Sequence, residues 1–156
     1  MTNIALITLS IISGGLILLQ SALSGQLSKH TNSPLVSSLA LYSFSAALMF
    51  IMITVFRLKL PSYEVIKEVP RYLWVLGSFF SIAGLTLVYW LMPIMGVSKV
   101  MSGIIAGQMI AGLIVSHFGF FHLPVIEVNR YKVLGVMFLF AGVYLINWSS
   151  INETIK

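Results

Sequence analysis

Residues 4–26 read IALITLSIISGGLILLQSALSGQ, an unbroken stretch without one Asp, Glu, Lys or Arg. About 20 apolar residues in a helix cross the roughly 30 Å of hydrocarbon in a bilayer. The apolar residues run continuously and do not alternate, which favours a helix over a barrel strand. No Lys or Arg precedes the stretch, and it is longer than the apolar core of a cleaved signal peptide. We therefore predict that it forms a transmembrane helix.

Charged residues divide the rest of the chain into four more apolar stretches of similar length, at about 34–56, 73–92, 97–118 and 132–149. The breaks between the spans carry capping or helix-breaking residues, namely Asn32, Ser33 and Pro34, then Pro93 and Gly96, then Gly119 and Pro124. Residues 62–69, in the longest polar connection, could form a short interfacial helix or a solvated loop.

The composition supports the same fold class. Of the 156 residues, 58% are hydrophobic and only 8% are charged, against about 25% charged in soluble domains. The mean hydropathy of +1.00 points to lipid as the solvent. We predict an all-α integral membrane protein, a single transmembrane domain over residues 1–156 with five transmembrane helices.

Several function classes lack the residues that they need. The chain has no cysteine, so it cannot form disulfides or thiolate metal sites. Its net charge of +5 comes from residues scattered between the spans, without the basic stripe that nucleic acid requires. We find no phosphate-binding loop, no paired carboxylates, no metal-ligand spacing and no nucleophile–base set. We expect no nucleic-acid partner, no cofactor, no metal and no enzymatic activity.

Lys and Arg are unevenly divided between the two membrane faces. The face of the N-terminus receives six of them, Arg57, Lys59, Lys67, Arg71, Arg130 and Lys132. The opposite face receives three, Lys29, Lys99 and Lys156. Because cytoplasmic loops carry the excess of positive charge, the N-terminus is expected inside and the C-terminus outside.

Polar residues inside the spans are the candidates for a functional site. The first span carries one polar stripe, made of Ser10, Ser13, Gln20 and Ser24. Such a stripe should face protein or a water-filled cavity. Gln20 needs a partner, which is either another helix, through Ser43 or Gln108, or the substrate. The same two alternatives hold for Gln108. No span contains Asp or Glu, so this chain alone lacks the shared carboxylate of a proton-coupled cation exchanger.

One cation and six aromatic residues lie near the span ends. Lys99 falls in the first turn of the fourth span, where it either extends toward the headgroups or forms a cationic wall for an anionic substrate. The aromatic residues are expected to form interfacial belts, and they are Trp74, Trp90, Trp148, Tyr72, Tyr89 and Tyr144.

Small residues form stripes on three spans. The clearest is Gly103, Gly107 and Ala111 on the fourth span, a G-x-x-x-G ridge extended by one turn. The third span carries Gly77 and Gly84, and the fifth carries Gly135 and Gly142. Such stripes allow close helix packing, either within the monomer or in a dimer.

An ordered set of short motifs runs nearly end to end. It consists of QSALSGQL at 20–27, Ser33-Pro34, Ser43-Phe44, Val69-Pro70, Trp74, Gly77, Pro93, Gly96, Gly107-Gln108, His117-Phe118-Gly119, Leu134-Gly135 and Ala141-Gly142-Val143. This set resembles the five-helix bacterial family of inner membrane exporters in the drug/metabolite transporter superfamily. The chain departs from the family pattern at Ser24, where the family usually has Asn, and at Ser116, where it usually has Asp.

The resemblance implies half of a ten-helix inverted-repeat transporter in the bacterial cytoplasmic (inner) membrane. An inverted second subunit would complete it, and the charge bias and the two departures favour a paralogue over self. The resemblance implies a small-molecule substrate. The polar residues in or near the spans are the candidates along its pathway, namely Gln20, Ser24, Ser43, Gln108 and Lys99. The alternative is a non-transporting membrane scaffold or regulatory subunit.

Overall fold

The computed structural model describes residues 3–153, without the side chains of residues 122 and 149–153, and this part of the chain is helical with no strand. It contains six α-helices, which are α1 (Asn3–Thr31), α2 (Pro34–Val55), α3 (Tyr63–Glu68), α4 (Arg71–Met95), α5 (Val97–Phe118) and α6 (Arg130–Glu153). All but the short α3 are long and apolar enough to cross a membrane. The prediction of five spans is confirmed.

The break between α1 and α2 is built from the residues that the sequence indicated. Asn32 adopts a left-handed conformation with φ of 51°. The Ser33 hydroxyl then accepts a hydrogen bond from the backbone N–H of Val36, at 3.3 Å, and caps α2. Pro34 follows as the first helical residue, where its missing N–H costs no hydrogen bond.

The polar connection after α2 contains the short helix, not a plain loop. The helix α3 runs from Tyr63 to Glu68, and all its side chains are exposed. The Lys67 ammonium lies 4.4 Å from the centre of the Tyr63 ring, a cation–π contact within one turn.

Pro93 does not end the third span, contrary to the boundary predicted at residue 92. The helix α4 continues through Pro93 to Met95, and the break comes at Gly96, whose φ is +84°. A proline disturbs the carbonyl four residues before it, so near a helix end it perturbs one turn only. The positive φ of Gly96, which a side chain would oppose, is what ends the helix.

Gly119 ends α5, as predicted, in a left-handed conformation with φ of +63°. A 3-10 turn follows at Phe120–His122. The chain then folds back along α5, where the N–H of Ile126 donates to the carbonyl oxygen of Ser116 at 2.9 Å.

The described residues group into two compact units, one up to Ile94 and one from Met95. In the first unit α1 packs along α2, and in the second α5 packs along α6. The buried hydrophobic side chains are few, namely Tyr89, Met92, Val100 and Ala106. Large apolar side chains instead cover the outer helix surfaces, as expected for helices solvated by lipid.

Candidate functional site

The polar stripe of α1 divides into two parts with different surroundings. Ser10 and Ser13 are exposed, and their hydroxyls donate to backbone carbonyls within α1, at 2.9 and 2.8 Å. Gln20 is half-buried and Ser24 is buried. Only the second half of the stripe therefore faces protein, as predicted for polar residues in a membrane helix.

The hydrogen-bond partner of Gln20 is a residue that was predicted to lie at the membrane interface. Its amide nitrogen Nε2 donates to the hydroxyl oxygen of Tyr89 on α4, at 2.9 Å. The expected bond to Ser43 is wrong, and Gln108, the other expected partner, belongs to the second unit. Tyr89 is fully buried, so its assignment to an interfacial aromatic belt is also wrong. A buried tyrosine needs a partner for its hydroxyl, and Gln20 supplies one.

Small residues bring α1 close to both neighbouring helices. The Ser37 hydroxyl of α2 donates to the carbonyl oxygen of Ser24 at 2.6 Å, and both residues are buried. On the side of α4, a Cβ added to Gly25 would lie 3.1 Å from the Cβ of Met92. Gly25 therefore allows a close approach that any larger residue would obstruct.

Two further hydrogen bonds join α2 to α4. The hydroxyls of Ser38 and Thr86 lie 3.0 Å apart. Those of Tyr42 and Ser81 lie 2.6 Å apart. Together with Gln20 and Tyr89, these pairs form what we call the three-helix polar cluster (Gln20, Ser38, Tyr42, Ser81, Thr86 and Tyr89). Every side chain in it is neutral, so the cluster can hold helices together or hydrogen-bond a neutral solute.

The second unit has a smaller polar contact. The side-chain nitrogen Nδ2 of Asn147 on α6 donates to the hydroxyl of Ser102 on α5 at 3.0 Å, and to the carbonyl of Val143 at 2.7 Å. This contact was not predicted from the sequence. Asn147 is the one amide within the fifth span, and that rarity was the available signal.

The remaining pathway candidates lie apart from these contacts. Ser43 is exposed on α2 and takes no part in the cluster. Gln108 is exposed on α5, and within the described residues its amide has no hydrogen-bond partner. Lys99 is half-buried in the first turn of α5, where its carbonyl accepts a hydrogen bond from the Ser102 hydroxyl at 2.9 Å.

The predicted small-residue stripes leave open space on their helices. A Cβ added to any of the six glycines would meet nothing within 4 Å, and these are Gly77, Gly84, Gly103, Gly107, Gly135 and Gly142. Ala111, which extends the ridge of α5, is exposed. Within the described residues, close packing of a glycine between spans occurs at Gly25, and this was not predicted from the sequence.

Comparisons with known proteins give a match at the level of the family. No curated protein and no solved structure matches the chain. In the described residues no group of three or more His, Cys, Asp or Glu could hold a metal ion. A family model described as "Putative inner membrane exporter, YdcZ" matches residues 5–145. That match covers all of α2 to α5 and most of α1 and α6, and the chain belongs to this family of multi-pass inner membrane exporters.

Proposed function

We propose that this chain is one subunit of a small-molecule transporter of the drug/metabolite type, and not an enzyme. Membership of an exporter family over residues 5–145 is the observation that supports the transport function. The working unit in this proposal is an antiparallel pair of five-helix subunits. A site shared between inverted halves lies near the midplane and can open to either face by rocking of one half against the other.

The surface of α5 supports the pairing. Gln108 is exposed in the middle of a helix that crosses the membrane, and an amide in hydrocarbon is costly unless it is hydrogen-bonded. On the same helix, Gly103, Gly107 and Ala111 are exposed, with open space beside both glycines. A second subunit packed on this ridge would bring polar partners to the amide, and glycines would let the two backbones approach.

A paralogue is the favoured partner. A chain that pairs with an inverted copy of itself must insert in both orientations, whereas six Lys and Arg against three favour one orientation, with the N-terminus inside. The family's usual Asn and Asp are replaced here by Ser24 and Ser116, so a partner that keeps them would supply groups that this chain lacks.

The pairing can be tested by crosslinking, because the chain has no cysteine of its own. We would combine Gly103→Cys and Ala111→Cys, in this chain and at the matching positions of a five-helix paralogue from the same genome. An antiparallel pair crossing at Gly107 joins position 103 of one subunit to position 111 of the other. Preferential 103–103 disulfides would contradict the proposal. The proposal would also be contradicted if no 103–111 disulfide formed, either between two copies of this chain or between this chain and the paralogue.

The second candidate, a non-transporting scaffold or regulatory subunit, is favoured by one observation. The amide of Gln20 already has an intramolecular partner in Tyr89, so it needs no substrate to satisfy it. Reconstituted vesicles distinguish the two functions. A transporter pair gives solute flux that Gly103→Leu abolishes by separating the subunits, whereas a scaffold gives no flux with any partner.

A further inference from the structure

The first unit contains a cavity of about 700 Å³ that opens on the helix surface, because five of its eight lining residues are exposed. It lies between α2 and α4, and its lining residues are Leu35, Ser38, Leu39, Tyr42, Gly77, Ser78, Ser81 and Ile82. Pockets of roughly 300–1,000 Å³ accommodate drug-sized molecules. The volume is therefore sufficient for a ligand of two or three rings.

The wall chemistry restricts what such a ligand can be. Four lining residues carry hydroxyls, namely Ser38, Tyr42, Ser78 and Ser81, and the others are aliphatic or glycine. No lining residue is charged, and α1, α2 and α4 contain no Asp or Glu. An ionic ligand would lose its hydration here without meeting an opposite charge. The free energy lost by this desolvation is far larger than the free energy that hydrogen bonds to hydroxyls would provide.

The hydroxyl of Ser78 is the clearest binding group. Tyr42 and Ser81 bond to one another at 2.6 Å, and Ser38 bonds to Thr86 at 3.0 Å. The hydroxyl of Ser78 has no hydrogen-bond partner among the described residues. A ligand with one donor or acceptor on an aromatic or aliphatic body could satisfy it, whereas the acyl chain of a lipid has no group to do so.

We infer that this cavity is a binding site for an uncharged, mainly apolar small molecule with at least one hydrogen-bonding group. This inference rests on the proposed transport function and names the class of substrate that the chain would handle. Gly77 lines the cavity, and a Cβ added to it would meet nothing within 4 Å. A larger side chain at this position would therefore occupy space that is now open to a ligand.

The first test asks whether the cavity holds water and ligand or only lipid. Single-cysteine variants Ile82→Cys, in the lining of the cavity, and Ser45→Cys, on the exposed surface of α2 outside it, are reconstituted in phosphatidylcholine nanodiscs. N-ethylmaleimide reacts with the thiolate, which forms poorly in hydrocarbon. We expect faster labelling at position 82 than at position 45. Equal, slow labelling at both positions means a lipid-filled groove and overturns the inference.

The second test asks which ligands protect position 82. The neutral probe N-phenyl-1-naphthylamine and its sulfonated, anionic analogue share one aromatic body, and tetraphenylphosphonium supplies the cationic comparison. At ten times its Kd the neutral probe should slow labelling about tenfold, since only unoccupied protein reacts. The ions should leave the rate unchanged at the same concentration. Equal protection by all three, or protection by an ion alone, contradicts the inference.

A matched pair of glycine substitutions separates this site from the transport function itself. Gly77→Leu fills the cavity, whereas Gly84→Leu places the same side chain on the same helix, also in open space but outside the lining. We expect Gly77→Leu to abolish protection by the neutral probe and Gly84→Leu to preserve it. Protection without flux would sustain the site and count against the transport function. If Gly77→Leu leaves the flux of the neutral probe unchanged, that result supports the transport function and contradicts the binding site.

Discussion

The side-chain nitrogen of Gln20 and the hydroxyl oxygen of Tyr89 lie 2.9 Å apart, although 69 positions separate the two residues in the chain. This bond joins α1 to α4 at a tyrosine that is fully buried. Hydrogen bonds between membrane helices average about 0.6 kcal/mol and reach about 1.7 kcal/mol. Tyr89 is one of few buried side chains in the described part of the unit, so its bond to Gln20 is expected to exceed that average.

A double-mutant cycle measures the Gln20–Tyr89 bond. Tyr89→Phe keeps the ring and removes the hydroxyl, and Gln20→Leu removes the donor. We expect a coupling free energy of about 1 kcal/mol, obtained from unfolding by steric trapping in bicelles. Tyr144→Phe, on the exposed face of α6, is the matched control and should change the free energy of unfolding by less than about 0.5 kcal/mol. Additive effects of the two substitutions would show that the bond contributes nothing.

Substitution of Gly25 should destabilise the first unit. Gly25→Leu forces side-chain atoms toward Met92, whose Cβ already lies 3.1 Å from the position of an added Cβ. Overpacking of this kind costs roughly 1–3 kcal/mol in the free energy of unfolding. The control is Gly14→Leu on the same helix, where an added Cβ meets nothing within 4 Å. Equal stability of the two variants would mean that α1 and α4 do not pack at Gly25.

Gly119 is expected to be intolerant of a side chain for two separable reasons. Its φ of +63° disfavours any residue with a Cβ by about 1 kcal/mol, and the added Cβ would lie 2.7 Å from Cγ2 of Val125. Gly119→Ala should therefore lower the free energy of unfolding by more than about 1 kcal/mol, whereas Gly112→Ala, inside α5, should not. Adding Val125→Ala should remove the destabilisation that comes from the steric clash and leave the destabilisation that comes from the positive φ. Full recovery would contradict the role of φ.

Membrane orientation should respond to loop charge. Replacing Arg130 and Lys132 with Gln reduces the Lys and Arg count on the N-terminal face from six to four, against three on the other face. We expect a larger fraction of chains with the N-terminus outside, measured with compartment-specific reporters fused to each terminus. Lys156→Gln strengthens the original bias and should not increase that fraction. Reporters found on the same side in the unmodified protein would contradict five spans.

The sequence predicted the spans well and the contacts between them poorly. The spans follow from hydropathy and from local breaks such as Ser33-Pro34 and Gly119, which act within one turn of the chain. The span boundary predicted at Pro93 was wrong, because the effect of a proline depends on how far the helix continues beyond it. The need of Gln20 for a partner was predictable from the cost of a bare amide in hydrocarbon.

The identity of that partner was not predictable, because it depends on how the helices pack. Periodicity places a residue on a face of its own helix but does not say which neighbour lies opposite. Tyr89 therefore looked like an interfacial aromatic, and Asn147 was overlooked beside Ser102. The cavity between α2 and α4 has the same origin. Leu35 and Tyr42 lie seven positions apart on one face of α2, but no local pattern places Gly77 of α4 opposite them.

The serines buried along α1 have a practical consequence for isolating the protein. Ser21, Ser24 and Ser28 face its neighbours, so the first unit is held by close approach and hydroxyl bonds more than by apolar bulk. Lipid tails are as apolar as leucine, so the hydrophobic effect does not stabilise the association of helices in a membrane. A detergent molecule that enters between the helices therefore meets little resistance. A short-chain detergent should thus pull α1 away from its neighbours, whereas a bulky, mild one that mimics the bilayer should leave the Gln20–Tyr89 bond in place.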